Sequence, residues 1–288
     1  MIGNFLGVVF DGLAYGSLLF VISIGLSVTM GLMNFVNLAH GAFAMVGGYA
    51  VVLLMTQLGV PFLAALPVAF VVAALAGAVL ERLLYRRLYK ASHLDQVLFS
   101  IGLVFMSIAG ATKLFGSQQQ PVARPAFQRG PVHVLGLDLG SYRLFLIVVV
   151  VVITLALTWL IERTRFGAEI RASVDNQQAS VGLGINVYRV FSLTFALGSG
   201  LAGLGGALGI DVLGLDPTFP LKYMVYFLLV VAVGGAGTIK GPLLAALILG
   251  VADVAGKYYV PQVGAFIIYF VMVAMLLAFP RGVLGRRA

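Results

Sequence analysis

The chain has 288 residues, 61% of them hydrophobic and only 10% charged, with a mean hydropathy of +1.08. Soluble domains carry charge on about a quarter of their residues, so this composition argues against that class and for a membrane protein. The formal net charge of +8 does not mark a nucleic-acid binder, because the basic residues stand at the ends of apolar stretches and not along one face.

Apolar runs of about twenty residues match the hydrocarbon thickness of a bilayer and predict an all-α integral membrane protein; a barrel would show short alternating strands. Residues 1–288 read as a single transmembrane domain. Cysteine is absent, which removes disulfides, thiolate metal sites and a thiol nucleophile together. His40, His93 and His133 are scattered without metal-ligand spacing, so neither a metal site nor a catalytic group is expected. No basic segment precedes the first apolar run, and Met1–Met30 reads as a retained helix and not a cleaved signal.

Span 1 is expected at about Phe5–Met30, where Gly12, Gly16 and Gly25 allow close helix approach. Asn34, Asn37 and His40 then interrupt the apolar pattern ahead of span 2, about Ala39–Gln57. Spans 3 and 4 follow at about Phe62–Leu80 and Gln96–Phe115, separated by Arg82, Arg86, Arg87 and Lys90. A polar, proline-containing loop occupies 116–143, and span 5, about Leu144–Ile161, is nearly pure Val, Leu and Ile and reads as lipid-facing. A second polar segment, 162–189, leads into span 6, about Val190–Val212, which has a glycine-rich face. Span 7, about Leu221–Val233, is short and breaks at Gly234–Pro242; spans 8 and 9 cover about 243–256 and 263–279. The broken segment could be re-entrant, so the expected bundle has eight to nine spans.

Basic residues set the orientation. With span 1 running inward, Arg82, Arg86, Arg87, Lys90, Arg163, Arg165, Arg171, Arg189, Lys240, Arg281, Arg286 and Arg287 lie inside, and Lys113, Arg124, Arg129, Arg143, Lys222 and Lys257 lie outside. Twelve against six predicts an external N-terminus and a cytoplasmic C-terminus. The clusters at Arg82–Lys90 and Arg281–Arg287 read as topology determinants that touch lipid headgroups, with contact to a cytoplasmic partner as the lesser reading.

The segment 162–189 is therefore cytoplasmic. Asp175 is expected to cap a short helix, with Gln178 completing a capping-box-like start; Ala179 and Ser180 continue it, and Gly182 or Gly184 ends it in the left-handed conformation. Val181, Leu183 and Ile185 would be exposed unless a partner or the bundle covers them. The segment is either a docking element or a solvated, capped turn folded on its own bundle.

Four runs in order carry a resemblance: N-F-V-N-L-A-H-G-A-F-A-M-V-G-G-Y from Asn34, D-N-x-x-A-S-x-G-L-G-I-N-x-x-R-V from Asp175, V-G-G-A-G-T-I-K-G-P from Val233, and F-P-R-G-V-L-G-R from Phe279. Together they resemble the membrane permease of bacterial ABC importers for branched-chain amino acids and related small substrates, the shorter of the usual permease pair. The resemblance implies a bacterial inner-membrane protein working with a second permease, cytoplasmic ATPase subunits and a soluble substrate-binding protein. ATP would be bound by the partner and no cofactor by this chain. Gln178-Ala179-Ser180-x-x-x-Gly184 is similar to the E-A-A-x-x-x-G core of ABC coupling loops, with Gln for Glu and Ser for the second Ala.

No Walker A pattern occurs, so ATP-driven transport would need a separate ATPase chain. The rival readings are an ion-coupled carrier, a passive channel, or a purely structural membrane subunit. A carrier would keep relay carboxylates or histidines at membrane depth, whereas Asp11, Asp211 and Asp216 fall near span ends and Asp253 forms an i,i+4 pair with Lys257 near the outer end of span 8. Each of the two helix breaks follows an inward span and opens an outward one. They are expected to flank the inner part of one path, with Asn34, Asn37 and His40 on one side and Gly235, Gly237 and Thr238 on the other. Helix-end capping and packing is the competing account of the same residues.

Overall fold

A computed structural model describes residues 2–33, 35, 37–89, 91–120, 130–134, 137–279 and 282–284. Eleven α-helices run through them: α1 (Ile2–Met33), α2 (His40–Gln57), α3 (Phe62–Leu83), α4 (His93–Phe115), α5 (Ser141–Arg163), α6 (Arg165–Asp175), α7 (Gln177–Gly182), α8 (Val187–Leu213), α9 (Phe219–Gly234), α10 (Lys240–Tyr259) and α11 (Gly264–Ala278). A 3-10 turn, Tyr85–Leu88, follows α3. An antiparallel hairpin, β1 (Pro131–Val134) with β2 (Leu137–Gly140), lies within the expected outer loop.

Seven of these helices (α1 to α5, α8 and α10) are long and apolar enough to cross a membrane. The two remaining apolar helices, α9 and α11, have 16 and 15 residues, or about 24 and 22 Å at 1.5 Å per residue, short of a hydrocarbon core of about 30 Å. The expected count of eight to nine therefore resolves into seven full-length spans and two shorter apolar helices. Span 7 is short because its helix stops at Gly234, where Gly235 takes φ +90°.

The bundle is built around α8. Its best apolar window is 78% buried, against 17% in α4 and 22% in α5, so α8 is the axis and α4 and α5 are the periphery. The chiefly Val/Leu/Ile sequence of α5 suits that outer position. Hydrophobic pressure between helices is absent in lipid, so close approach depends on small side chains. Helix α8 supplies them toward three neighbours. Gly198 faces Gly25 of α1, Gly203 and Gly206 face α2 at Gly47 and Ala44, and Ser199 faces Gly77 of α3. Gly12 and Gly16 of α1 pack likewise against Val251 and Ala246 of α10.

Candidate functional site

The polar segment is more structured than its sequence suggests. A sharp turn at Thr164 ends α5, and the Thr164 hydroxyl accepts a hydrogen bond from the Gly167 amide at 3.2 Å. A β-carbon at Gly167 would overlap the Ile161 carbonyl, so α6 folds back tightly against the end of α5. Gly167, Ile170 and Ser173 form its buried face, and Arg171 donates to the Ile161 carbonyl. Sequence reasoning missed α6. Its signal was the capping Thr164 followed by apolar Phe166, Ile170 and Val174 at four-residue spacing.

Asp175 does not cap the next helix. It is the last residue of α6, and the cap of α7 is Asn176, whose Oδ1 accepts from the Ala179 amide at 2.9 Å. Gln178 consequently sits one position too early for a capping box. Gly182 is the last helical residue of α7, and Gly184 is the left-handed one, at φ +83°. The Gly184 amide donates to the Val181 carbonyl and the Ile185 amide to the Ser180 carbonyl, both at 3.0 Å, which is a Schellman closure. Asn186 then caps α8 through the Arg189 amide at 3.0 Å. Ser180 is buried, while Gln178 and Ala179 are exposed. Val181 is 61% and Leu183 80% exposed, leaving two apolar side chains uncovered on a helix locked at both ends.

The helix breaks have different surroundings. Asn37 is buried; its Oδ1 accepts from the Ala39 amide at 3.0 Å and from the Tyr85 hydroxyl at 2.9 Å. Tyr85 is itself enclosed by Phe35, Phe99 and Phe195. His40 is buried with Nε2 at 2.8 Å from the Ile22 carbonyl of α1, so that nitrogen is the donor, and its ring meets Phe227 edge-on. Asn34 lies outside the described residues. At the second break, the Gly237 amide donates to the Ser27 carbonyl at 2.9 Å, and the Ser27 hydroxyl donates to the Thr238 carbonyl at 3.1 Å. A β-carbon on Gly31 would overlap Gly237, and Gly282 packs on Gly235 from the other side.

Both breaks thus dock on α1, but Ile22 and Ser27 are separated by about 7.5 Å of rise and about 140° of rotation. The structure does not bring Asn37 and His40 together with Gly237 and Thr238. It brings the second break to the polar arm instead. A cleft of about 560 Å³ is lined by Gly237, Thr238 and Lys240 on one side and Glu162, Ile170 and Arg171 on the other. A cysteine at Thr238 should therefore react with a small water-soluble thiol reagent in this conformation, and one at Asn37 should be protected. Faster labelling at Asn37 would contradict this placement. Tyr85→Phe should cost about 1 kcal/mol, read as a lower unfolding midpoint, because it removes one donor to the buried Asn37 oxygen.

Most of the ionised groups at the opposite end are paired. Asp11 pairs with Arg143, Asp216 with Lys222, and Asp253 with Lys257 at 2.6 Å. Burial pushes the loop carboxylate Asp216 up, but hydrogen bonds from Lys222 and Thr218 and the Lys222 charge outweigh it, so its pKa lies below the ordinary value. A depressed carboxylate pKa stabilises the fold above the unfolded-state value, and that contribution is lost as pH falls through the folded value. The 216–222 turn should accordingly hold at neutral pH and loosen only in acid, read as faster exchange of the Thr218 amide. Lys222→Met should move that loosening to higher pH. Among the described residues, no group of three metal-ligating side chains occurs.

These features define a multi-pass helical membrane protein with a polar arm held against one helix break. Residues 8–276 match the family described as the branched-chain amino acid transport system permease component, and the chain belongs to that family. It is similar to the high-affinity branched-chain amino acid transport system permease protein BraD of Pseudomonas aeruginosa, with 28% identity over 96% of this chain and 94% of that one. LivH, the corresponding permease protein of Escherichia coli K12, is 27% identical over 98% of this chain and 96% of its own. A probable LivH permease of Methanocaldococcus jannaschii is 28% identical over 94% and 90%. No solved structure matches the chain. As a member of this family the chain is a transport subunit and not an enzyme.

Proposed function

We propose that this chain is the transmembrane subunit of an ATP-driven importer for branched-chain amino acids or a related small solute. It works in a bacterial cytoplasmic membrane, with its N-terminus outside and its C-terminus inside. A second permease completes the path, a soluble binding protein delivers substrate from outside, and separate ATPase subunits bind ATP. The observation that carries this reading is the doubly capped α7, which presents Val181 and Leu183 to solvent immediately before the most buried helix of the bundle. A short rigid helix with a small exposed residue at Ala179, seated on its own bundle through the buried Ser180, suits insertion into a partner's cleft. The cleft between α6 and the second break is the inner end of the path in this reading, with Gly237 and Thr238 at its wall and Gly235 at the helix end just before them. Asn37 and His40 hold the neighbouring helices that shape it.

The test is reconstitution. The chain alone in liposomes should show no ATP hydrolysis and no ATP-dependent uptake, and adding the cognate ATPase, second permease and binding protein should restore both. Uptake by the lone chain under a sodium or proton gradient would instead establish an ion-coupled carrier.

A further inference from the structure

A second cleft, of about 370 Å³, opens between the ends of α3 and α8, on the side of the bundle richest in Lys and Arg. It is lined by Arg82, Arg86 and Arg189, with Glu81, Tyr188 and Ser192 between them. None of the three arginines forms an ion pair among the described residues. Arg82 donates to the Ser192 hydroxyl at 3.4 Å, and Arg86 stands 4.0 Å over the Tyr188 ring, so two of the guanidiniums are held in place by contacts other than an ion pair. Glu81 is 1% exposed; its Oε1 accepts from the Tyr89 hydroxyl, while its Oε2 has no hydrogen-bond partner. Three guanidiniums less one carboxylate leave a surplus of two positive charges at this cleft.

The surrounding surface is apolar. Leu75, Val79 and Leu83 form an exposed stripe along α3 that ends beside Arg82, and Leu193 is exposed one turn beyond Arg189 on α8. A fixed guanidinium fork matches phosphate oxygens, and basic pockets at the ends of membrane helices suit anionic headgroups. The geometry points to a specific site for a phospholipid of the phosphatidylglycerol type. Its phosphate is held by Arg82, Arg86 and Arg189, and its acyl chain lies along Leu75, Val79 and Leu83. The glycerol headgroup supplies hydroxyl donors, the chemistry that the free Glu81 oxygen lacks. This site is separate from the α6–α7 arm and does not depend on the transport reading.

Native mass spectrometry of the full chain, equilibrated in detergent with phosphatidylglycerol or phosphatidylcholine, tests it. One phosphatidylglycerol should remain bound after phosphatidylcholine is lost. The variant carrying Arg82→Gln, Arg86→Gln and Arg189→Gln should bind it about a hundredfold more weakly, and the matching triple Lys variant should keep most of the affinity. If the Gln variant does not fold, the wild-type chain still decides: retention should fall in high salt and resist excess inorganic phosphate, which has no acyl chain. Equal retention of the two lipids by the wild-type chain, or by the wild-type and Gln chains of phosphatidylglycerol, overturns the site. Displacement by free phosphate would make it a soluble-anion site instead. A cysteine at Arg86 that crosslinks to an ATPase subunit in the assembled transporter would make it a protein contact.

Discussion

Gly206→Val is expected to leave almost no folded protein in the membrane. A β-carbon at this position would overlap the Ala44 carbonyl, a backbone group of α2 that cannot rotate away. The clash falls on α8, which also packs against α1 and α3, so α2 cannot retreat without losing contacts that the rest of the bundle shares. Overpacking a close-packed interior costs about 1–3 kcal/mol even where side chains can adjust, and here they cannot. Against a total stability of about 5–15 kcal/mol, a larger penalty empties the folded state. Gly209→Ala is the matched control, since its new β-carbon would first meet the Leu213 side chain at 3.1 Å, which can give way. The measurement is the yield of monodisperse protein after solubilisation. Similar yields from both variants would show that α8 and α2 are not packed at this distance.

Leu183→Asp combined with Val181→Asp should reduce transport by at least about a hundredfold while insertion and yield stay normal. Both side chains are largely exposed, so the bundle itself gives up little on their replacement. An interface that depends on two apolar anchors would lose their burial and acquire two unpaired carboxylates. Gly184→Val should act differently on the same arm. At φ +83° a β-branched residue is strained by about 1–3 kcal/mol, which opens the Schellman closure and frays α7. Its transport defect should therefore deepen with temperature, whereas that of the aspartate pair should not. Normal ATP-dependent uptake by the aspartate pair in the assembled transporter would reduce the arm to a solvated connector.

Much of this architecture was legible in the sequence because lipid imposes a simple code. The start of α2 at His40 falls one residue from its expected place, and the break after Gly234 was marked by its glycines. The glycine face of span 6 correctly implied packing, though not that α8 is the axis of the bundle. The polar positions were harder to read. Asn37 and His40 show the same composition whether they line water or close a core, and the groups they bond, the Tyr85 hydroxyl and the Ile22 carbonyl, lie 48 and 18 residues away. Asp175 lost the cap to Asn176 because α6 continues through it, and α6 was hidden in a segment whose polar residues read as loop. The nearness of the second break to the arm is purely tertiary: Thr238 and Arg171 are distant in sequence and share one cleft.

The connection from α7 into α8 has a mechanical consequence. Only the four residues Leu183–Asn186 separate the two helices, and most of their backbone is already tied by the Schellman closure and by the Asn186 cap. Such a joint has little slack to absorb a load. A push delivered to Leu183 arrives within a few ångströms at the base of a 27-residue rod about 40 Å long. Because its glycine faces seat that rod against α1, α2 and α3, it tends to slide or tilt as one piece instead of bending. A displacement imposed at Leu183 would then be felt along the length of α8 and not only at its base.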